Sequence, residues 1–274
     1  MAITTLDEVV SGMMPVVGYS YFSNGSSGTN IGHYNSSWGR TGINPVGTWD
    51  ATLNGVTLTS ANGGIYFANA AGGDTAYLAR MNSTMGRQSA AMAHGVHLLC
   101  DRLWHNGGIT ITSTSAQNIT SPTWPARDIN GATAGDGVLI GVEVEVTTGA
   151  GTPTFTMSYT NSDGTSGRSA NGVIAGTATS VGGTFYLMGL QAGDTGVQSV
   201  QSFTLSATWT SGTIHLVAFR PILCTGNPGL GPSYVDPISG CLPKIHNGST
   251  LFWVCQAQST ALGQHVGELQ YTYG

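Results

Sequence analysis

The densest group of side chains able to ligate or transfer a proton is His94, His97, Cys100, Asp101 and His105. On a helix, His-x-x-His followed by a cysteine would gather zinc ligands. Val96 to Trp104 is instead an apolar run suited to a buried strand, which sends His97 and Cys100 to opposite faces. The structural reading outweighs the metal one, and neither a metal nor another cofactor is expected. Glu143 and Glu145, two residues apart, suggest a glycosidase pair, but neighbouring acids on a strand face are more often solvated. The seven histidines are scattered, and neither Gly-x-Ser-x-Gly nor Ser-x-x-Lys occurs, so a hydrolase triad has no support. The run Gly131 to Gly137 has no following helix and no P-loop lysine, which argues against a phosphate cradle. Asp163 and Asp194 lie in glycine-flanked turns without the clustered oxygens calcium requires, and read as turn formers. No catalytic residue is assigned, and the chain reads as a non-enzyme.

Composition narrows the classes further. Charged residues are 8% of 274, against about 25% in ordinary soluble proteins, while hydrophobic residues reach 40% and the net charge is only -5. Disorder requires the opposite balance. Lys244 is the one lysine beside seven arginines, so no basic stripe exists to neutralise phosphates, and nucleic acid is not an expected partner. A surface of Ser, Thr, Asn and backbone suits burial against other subunits, where charge is costly to desolvate. No apolar run approaches a membrane span, and Asp7 and Glu8 interrupt any signal-peptide pattern at the start. Cys100, Cys224, Cys241 and Cys255 form no Cys-x-x-Cys pair; buried free thiols are the default, with Cys241–Cys255 the first pair to test for a bridge. Trp38, Trp49 and Trp124, set in loops, are candidates for stacking on sugars, for loop anchoring or for filling a subunit interface, with interface preferred.

Several elements must carry these groups. Thr5 and Glu8 fit a capping box opening a short helix to about Met14, an N-terminal arm that needs something to dock on. Residues 18–75 form a glycine-rich, aromatic-studded tract that packs over the main domain or mediates contacts. Within it Thr52 to Leu58 resembles a hairpin turning at Asn54-Gly55. Residues 76–104 read as two strands joined by a loop. From residue 137 the period-2 signal is clear: Val138, Ile140, Val142, Val144 and Val146 share one face, then Phe155, Met157 and Tyr159, then Phe203, Leu205, Ala207 and Trp209. A strand spans about Thr184 to Leu190, and another Thr213 to Phe219. Pro221 to Pro243 reads as an extended linker, followed by strands at Leu251 to Gln256 and Val266 to Tyr273. The predicted fold is all-β: an antiparallel, jelly-roll-like β-sandwich with a short N-terminal helix or arm and a C-terminal β extension. The expected divisions are 1–75 for the arm and loop region, 76–222 for the core, and 223–274 for the linker and last strands.

Five stretches stand out together: Leu99 to Gly108 (LCDRLWHNGG), Ser121 to Asp128 (SPTWPARD), Ser158 to Asn161, Leu190 to Gly196 (LQAGDTG) and Trp209 to Leu216 (WTSGTIHL). They resemble structural proteins of tailed bacteriophages, over roughly residues 97–220. The resemblance implies a virion protein, made in the host cytoplasm, with no catalytic residues to carry over. A capsid decoration or cement protein on the head surface is the expected role, with the major capsid protein as partner and a homotrimer as the expected assembly. A tail or fibre component, or a glycan- or receptor-binding module, is the alternative. Aromatic and arginine anchors dominate interfaces, so the interface candidates are Arg102, Trp104, Trp124, Arg127 and Arg168, with Trp38 and Trp49.

Overall fold

The computed structural model describes residues 5, 7–8, 18–25, 33–87, 95–173, 178–227, 233–257 and 263–274. Among the described residues sixteen strands follow in chain order: β1 Gly18–Gly25, β2 Tyr34–Ser36, β3 Val56–Thr57, β4 Ala76–Arg87, β5 Gly95–His105, β6 Gln117–Asn118, β7 Leu139–Val146 and β8 Thr154–Asn161. Then come β9 Arg168–Val173, β10 Thr184–Leu187, β11 Val197–Leu205, β12 Thr213–Asn227, β13 Ser233–Val235, β14 Lys244–Ile245, β15 Leu251–Ala257 and β16 Gly263–Tyr273. They form three antiparallel sheets packed face to face, a sandwich-like all-β fold.

The central sheet runs β12-β7-β10-β2-β15-β5-β3, and β12 also pairs with β5. That extra pairing joins β12 to β5 and closes the sheet into a small barrel. Its interior holds an apolar cluster, Cys100, Phe185, Val217, Phe219, Phe252 and Val254, with Trp38 and Leu58 closing over them. Phe219 meets Phe185 and Phe252 edge to face at 5.4 and 6.3 Å, and Phe185 and Phe252 lie tilted at 6.3 Å, contacts worth about 0.5–1.5 kcal/mol each beyond their burial. Gly141 on β7 is the gap that admits this cluster, since a Cβ there would lie 2.2 Å from the Phe185 ring.

Two further sheets cover the barrel. The sheet β6-β11-β8-β9 packs its apolar row, Phe155, Met157, Tyr159, Val200, Phe203 and Leu205, onto Ile140, Val142, Val144, Ile214 and Leu216. The sheet β1-β16-β4-β13, with β14 also on β4, packs Phe22, Met81, Leu269 and Tyr271 onto Leu99, Leu251 and Trp253. The alternation read from residues 138–144, 155–159 and 203–205 thus marks real core faces.

Several expectations need correction. Glu143 is not solvated but fully buried, because β7 has neighbours on both faces; Val146, by contrast, is exposed at the strand end, as is Ala207 beyond β11. Thr52 to Leu58 is not a local hairpin: β3 pairs with β5, Val56 opposite His105. Gly55 adopts φ +72°, and a Cβ there would meet the His105 carbonyl at 2.2 Å. Pro221 to Asn227 is not linker but the second half of β12, with Pro221 beside a register shift that removes the need for a ladder donor. Ser233–Val235 likewise pairs with β4. The boundaries 75/76 and 222/223 do not follow the sheets, since β1 pairs with β16 and β15 with both β2 and β5. The N-terminal capping box is present, Thr5 N donating to Glu8 Oε2 (2.9 Å) and Glu8 N to Thr5 Oγ1 (3.2 Å); the helix expected up to Met14 lies outside the described residues, as does His94.

Candidate functional site

Alternation along β5 sends Asp101 and Arg102 in opposite directions, so adjacent residues enter two separate buried networks. Arg102 points into the barrel and pairs with Glu143, both side chains fully buried. Its Nε donates to His105 Nδ1 at 3.2 Å. Its guanidinium lies 4.5 Å from the Trp38 ring, 5.3 Å from Trp49 and 5.4 Å from Phe252, a cation held by aromatic faces as well as by its counter-ion. Trp49 also stacks on His215 at 4.3 Å, and His215 Nε2 meets Glu145 Oε2 at 2.9 Å. Burial, then the neighbouring Arg102 and His215, pushes His105 down to about 2, so it accepts the arginine's hydrogen bond as a neutral ring.

Asp101 points the other way. Its carboxylate accepts from Arg127 Nε (3.0 Å), Ser249 Oγ (2.8 Å) and the Thr250 N–H (2.8 Å). Arg127 reaches on to the carbonyls of Gly248 and Arg102, and Arg220 donates to the carbonyls of Arg127 and Lys244. Asp128, next in sequence, turns into the loop that follows. Its oxygens accept the N–H groups of Asn130 (2.9 Å), Ala132 (2.8 Å) and Gly135 (3.1 Å). The glycine-rich run does form an anion cradle, and the anion it holds is the chain's own carboxylate.

A third network ties the outer sheet's loops. Asp194 accepts from Arg168 Nε (2.9 Å) and Nη2 (2.8 Å), from Asn161 Nδ2 (2.8 Å) and from the Tyr159 hydroxyl. The Arg168 hydrogen bonds, supported by those of Tyr159 and Asn161, hold this carboxyl well below the usual carboxylate range. Asp194 is therefore a loop clamp.

The seven interface candidates separate accordingly. Arg102, Trp104, Trp124, Arg127 and Trp38 are buried within their own chain, while Trp49 and Arg168 are partly exposed. The three buried tryptophans among these candidates each anchor a loop: Trp38 Nε1 donates to Thr48 O, Trp104 Nε1 to Asn54 O and Trp124 Nε1 to Val197 O. The stretches at 99–108, 121–128 and 190–196 thus encode internal polar networks. His97 and Cys100 fall in different layers, His97 beside Trp253 and His265 and Cys100 inside the barrel. No cluster of three metal-ligating side chains occurs among the described residues. All four cysteines are free, Cys100 and Cys255 buried, Cys224 and Cys241 exposed, so the Cys241–Cys255 bridge is not formed.

Residues that sequence reasoning passed over lie on the surface. Tyr19, Tyr21 and Tyr234 project from the sheet containing β1, β4, β13 and β16, each 44–60% exposed. The Tyr-Ser-Tyr alternation at 19–21 was the available signal, masked by the surrounding glycines.

No family model matches this chain, and no curated protein matches it. Among solved structures it is similar to "Structure of infectious bursal disease virus Gx strain", at 10% identity over 93% of this chain and 79% of that one. The TM-score of 0.19 is too low for that likeness to carry any argument about fold or function.

Proposed function

We propose that this chain is a non-enzymatic structural subunit of a bacteriophage virion, a decoration or cement protein that bridges major capsid subunits on the head surface. The observation that carries the reading is where the charge lies. Of eight cationic residues Arg102, Arg127 and Arg220 are buried, and of thirteen acids Asp101, Asp128 and Glu143 are buried. A chain already poor in charge spends part of it on internal rigidity, which leaves an exterior cheap to desolvate against neighbours. Exposed apolar side chains such as Ile43 and Val173 supply contact points on that exterior. The motif resemblance to tailed-phage structural proteins supplies the setting. Affinity would come from weak contacts repeated by lattice symmetry, with a homotrimer matching threefold positions.

Capsids assembled with and without this protein, then heated or osmotically shocked while filled, test the role. Lower tolerance without the protein is expected, and equal tolerance overturns cementing. The exposed tyrosines favour a second reading, a tail, fibre or glycan-binding component.

A further inference from the structure

The tyrosine-bearing sheet face has an order that the pairing registers define. Tyr21, Glu268, Asn82 and Tyr234 stand opposite one another in one row across β1, β16, β4 and β13. Tyr19, Gln270 and Arg80 form the adjacent row. Residues directly opposite on antiparallel strands share a face. The intervening row, Ser20, Leu269, Met81 and Val235, is the buried side of the same sheet. At one end the Tyr19 and Tyr21 rings are parallel to within 8° at 6.3 Å. At the other, the Arg80 guanidinium lies 5.5 Å over the Tyr234 ring. The floor between is polar and planar: Asn82, Gln270 and Glu268, with Gln270 Nε2 donating to Glu268 Oε1 at 3.0 Å. Three strand spacings separate Tyr21 from Tyr234, about 14 Å.

We propose that this face binds a neutral oligosaccharide. A sugar ring presents an apolar C–H face and a rim of hydroxyls. The first stacks on the tyrosine rings at either end, and the second exchanges in-plane hydrogen bonds with the amides between them and donates to the carboxylate. The arrangement is the reverse of a protein interface, which has an apolar centre and a polar rim. The face carries a single arginine, Arg80, against Glu268 and, beyond Tyr234 at its edge, the exposed Asp236, which disfavours an anionic ligand. The side chains sit on paired strands, so little ordering cost accompanies binding. Of Trp38, Trp49 and Trp124, the aromatic groups first suggested for sugar stacking, Trp38 and Trp124 are buried, and Trp49, partly exposed, is packed against His215 and Arg102. The inference stands apart from the cement role: loss of sugar binding leaves shell binding intact, and the reverse also holds.

The test uses the full-length protein titrated with maltohexaose, cellohexaose, mannohexaose and chitohexaose, with a heparin oligosaccharide as the anionic comparison. Binding of at least one neutral probe, insensitive to salt, is expected. Tyr21→Ala and Tyr234→Ala should each weaken it about tenfold, while Val173→Ala, on the opposite outer sheet, leaves it unchanged. Absence of binding to every neutral probe overturns the proposal. So does binding confined to heparin, or binding that survives in the Tyr21→Ala/Tyr234→Ala double variant. Should either substitution disturb the sheet, amide shift changes in the wild-type protein decide: changes centred on β1, β4, β13 and β16 support the site, and changes centred elsewhere overturn it.

Discussion

Acidification should destabilise this protein well above the range where carboxylates titrate. His97, His105 and His265 are almost completely buried, and burial is the largest cause that pushes them down to about 3, about 2 and about 4. In the unfolded chain each takes up a proton near 6.5. Below that value the unfolded state binds more protons than the folded one, so stability is complete above about pH 6.5 and falls as the pH drops toward the folded values. Each histidine forfeits about 1.4 kcal/mol per pH unit in that window, so the three together cost about 4 kcal/mol one unit below 6.5. That is a large part of the roughly 5–15 kcal/mol a folded domain possesses. Asp194 acts in a separate window: held low by Arg168, it adds stability above its unfolded value of 3.8 and loses it only at stronger acidity. Urea unfolding followed from neutral to about pH 5 measures the effect. The midpoint should fall steeply with an unchanged m-value, and His265→Gln should make the fall shallower. A midpoint that stays flat across this range would refute the buried, neutral assignment of these rings.

Three other outcomes are expected. Arg102→Met leaves Glu143 unpaired inside the barrel and should cost about 3–5 kcal/mol, whereas adding Glu143→Leu should recover most of it; a double variant as unstable as the single one removes the ion-pair argument. Asp128→Ala strips three N–H groups of their acceptor, at about 1 kcal/mol each, and should open the 128–137 loop to limited proteolysis; an unchanged cleavage pattern contradicts the cradle. A thiol reagent should label Cys224 and Cys241 in the native protein and reach Cys100 and Cys255 only after unfolding, and a shortfall in the denatured count would reveal a bridge.

The strands of the amphipathic region were legible because a period of two needs only one buried face. Phe155, Met157 and Tyr159 alternate with threonine and serine, and the structure buries that same row. β7 misled for the complementary reason. Its second face looks inward to the barrel, and one glutamate there is tolerated only because Arg102, forty-one residues earlier in sequence, meets it. Barrel closure is a property of the β5–β12 register, and no local pattern announces a pairing between Gly95 and Asn227. Prolines concealed the length of β12, since Pro221 reads as a breaker unless a register shift excuses it. The motif stretches were visible, but their residues could be assigned to an exterior or an interior only once Asp101, Arg127 and Asp128 were seen holding one another's neighbours in place.

Electron cryomicroscopy of intact particles tests the virion assignment most directly. Density for a closed barrel flanked by two sheets, seated on the outer shell across adjoining capsid subunits, is expected. Particles lacking that density, with the purified chain remaining a monomer that does not sediment with shells, would contradict it.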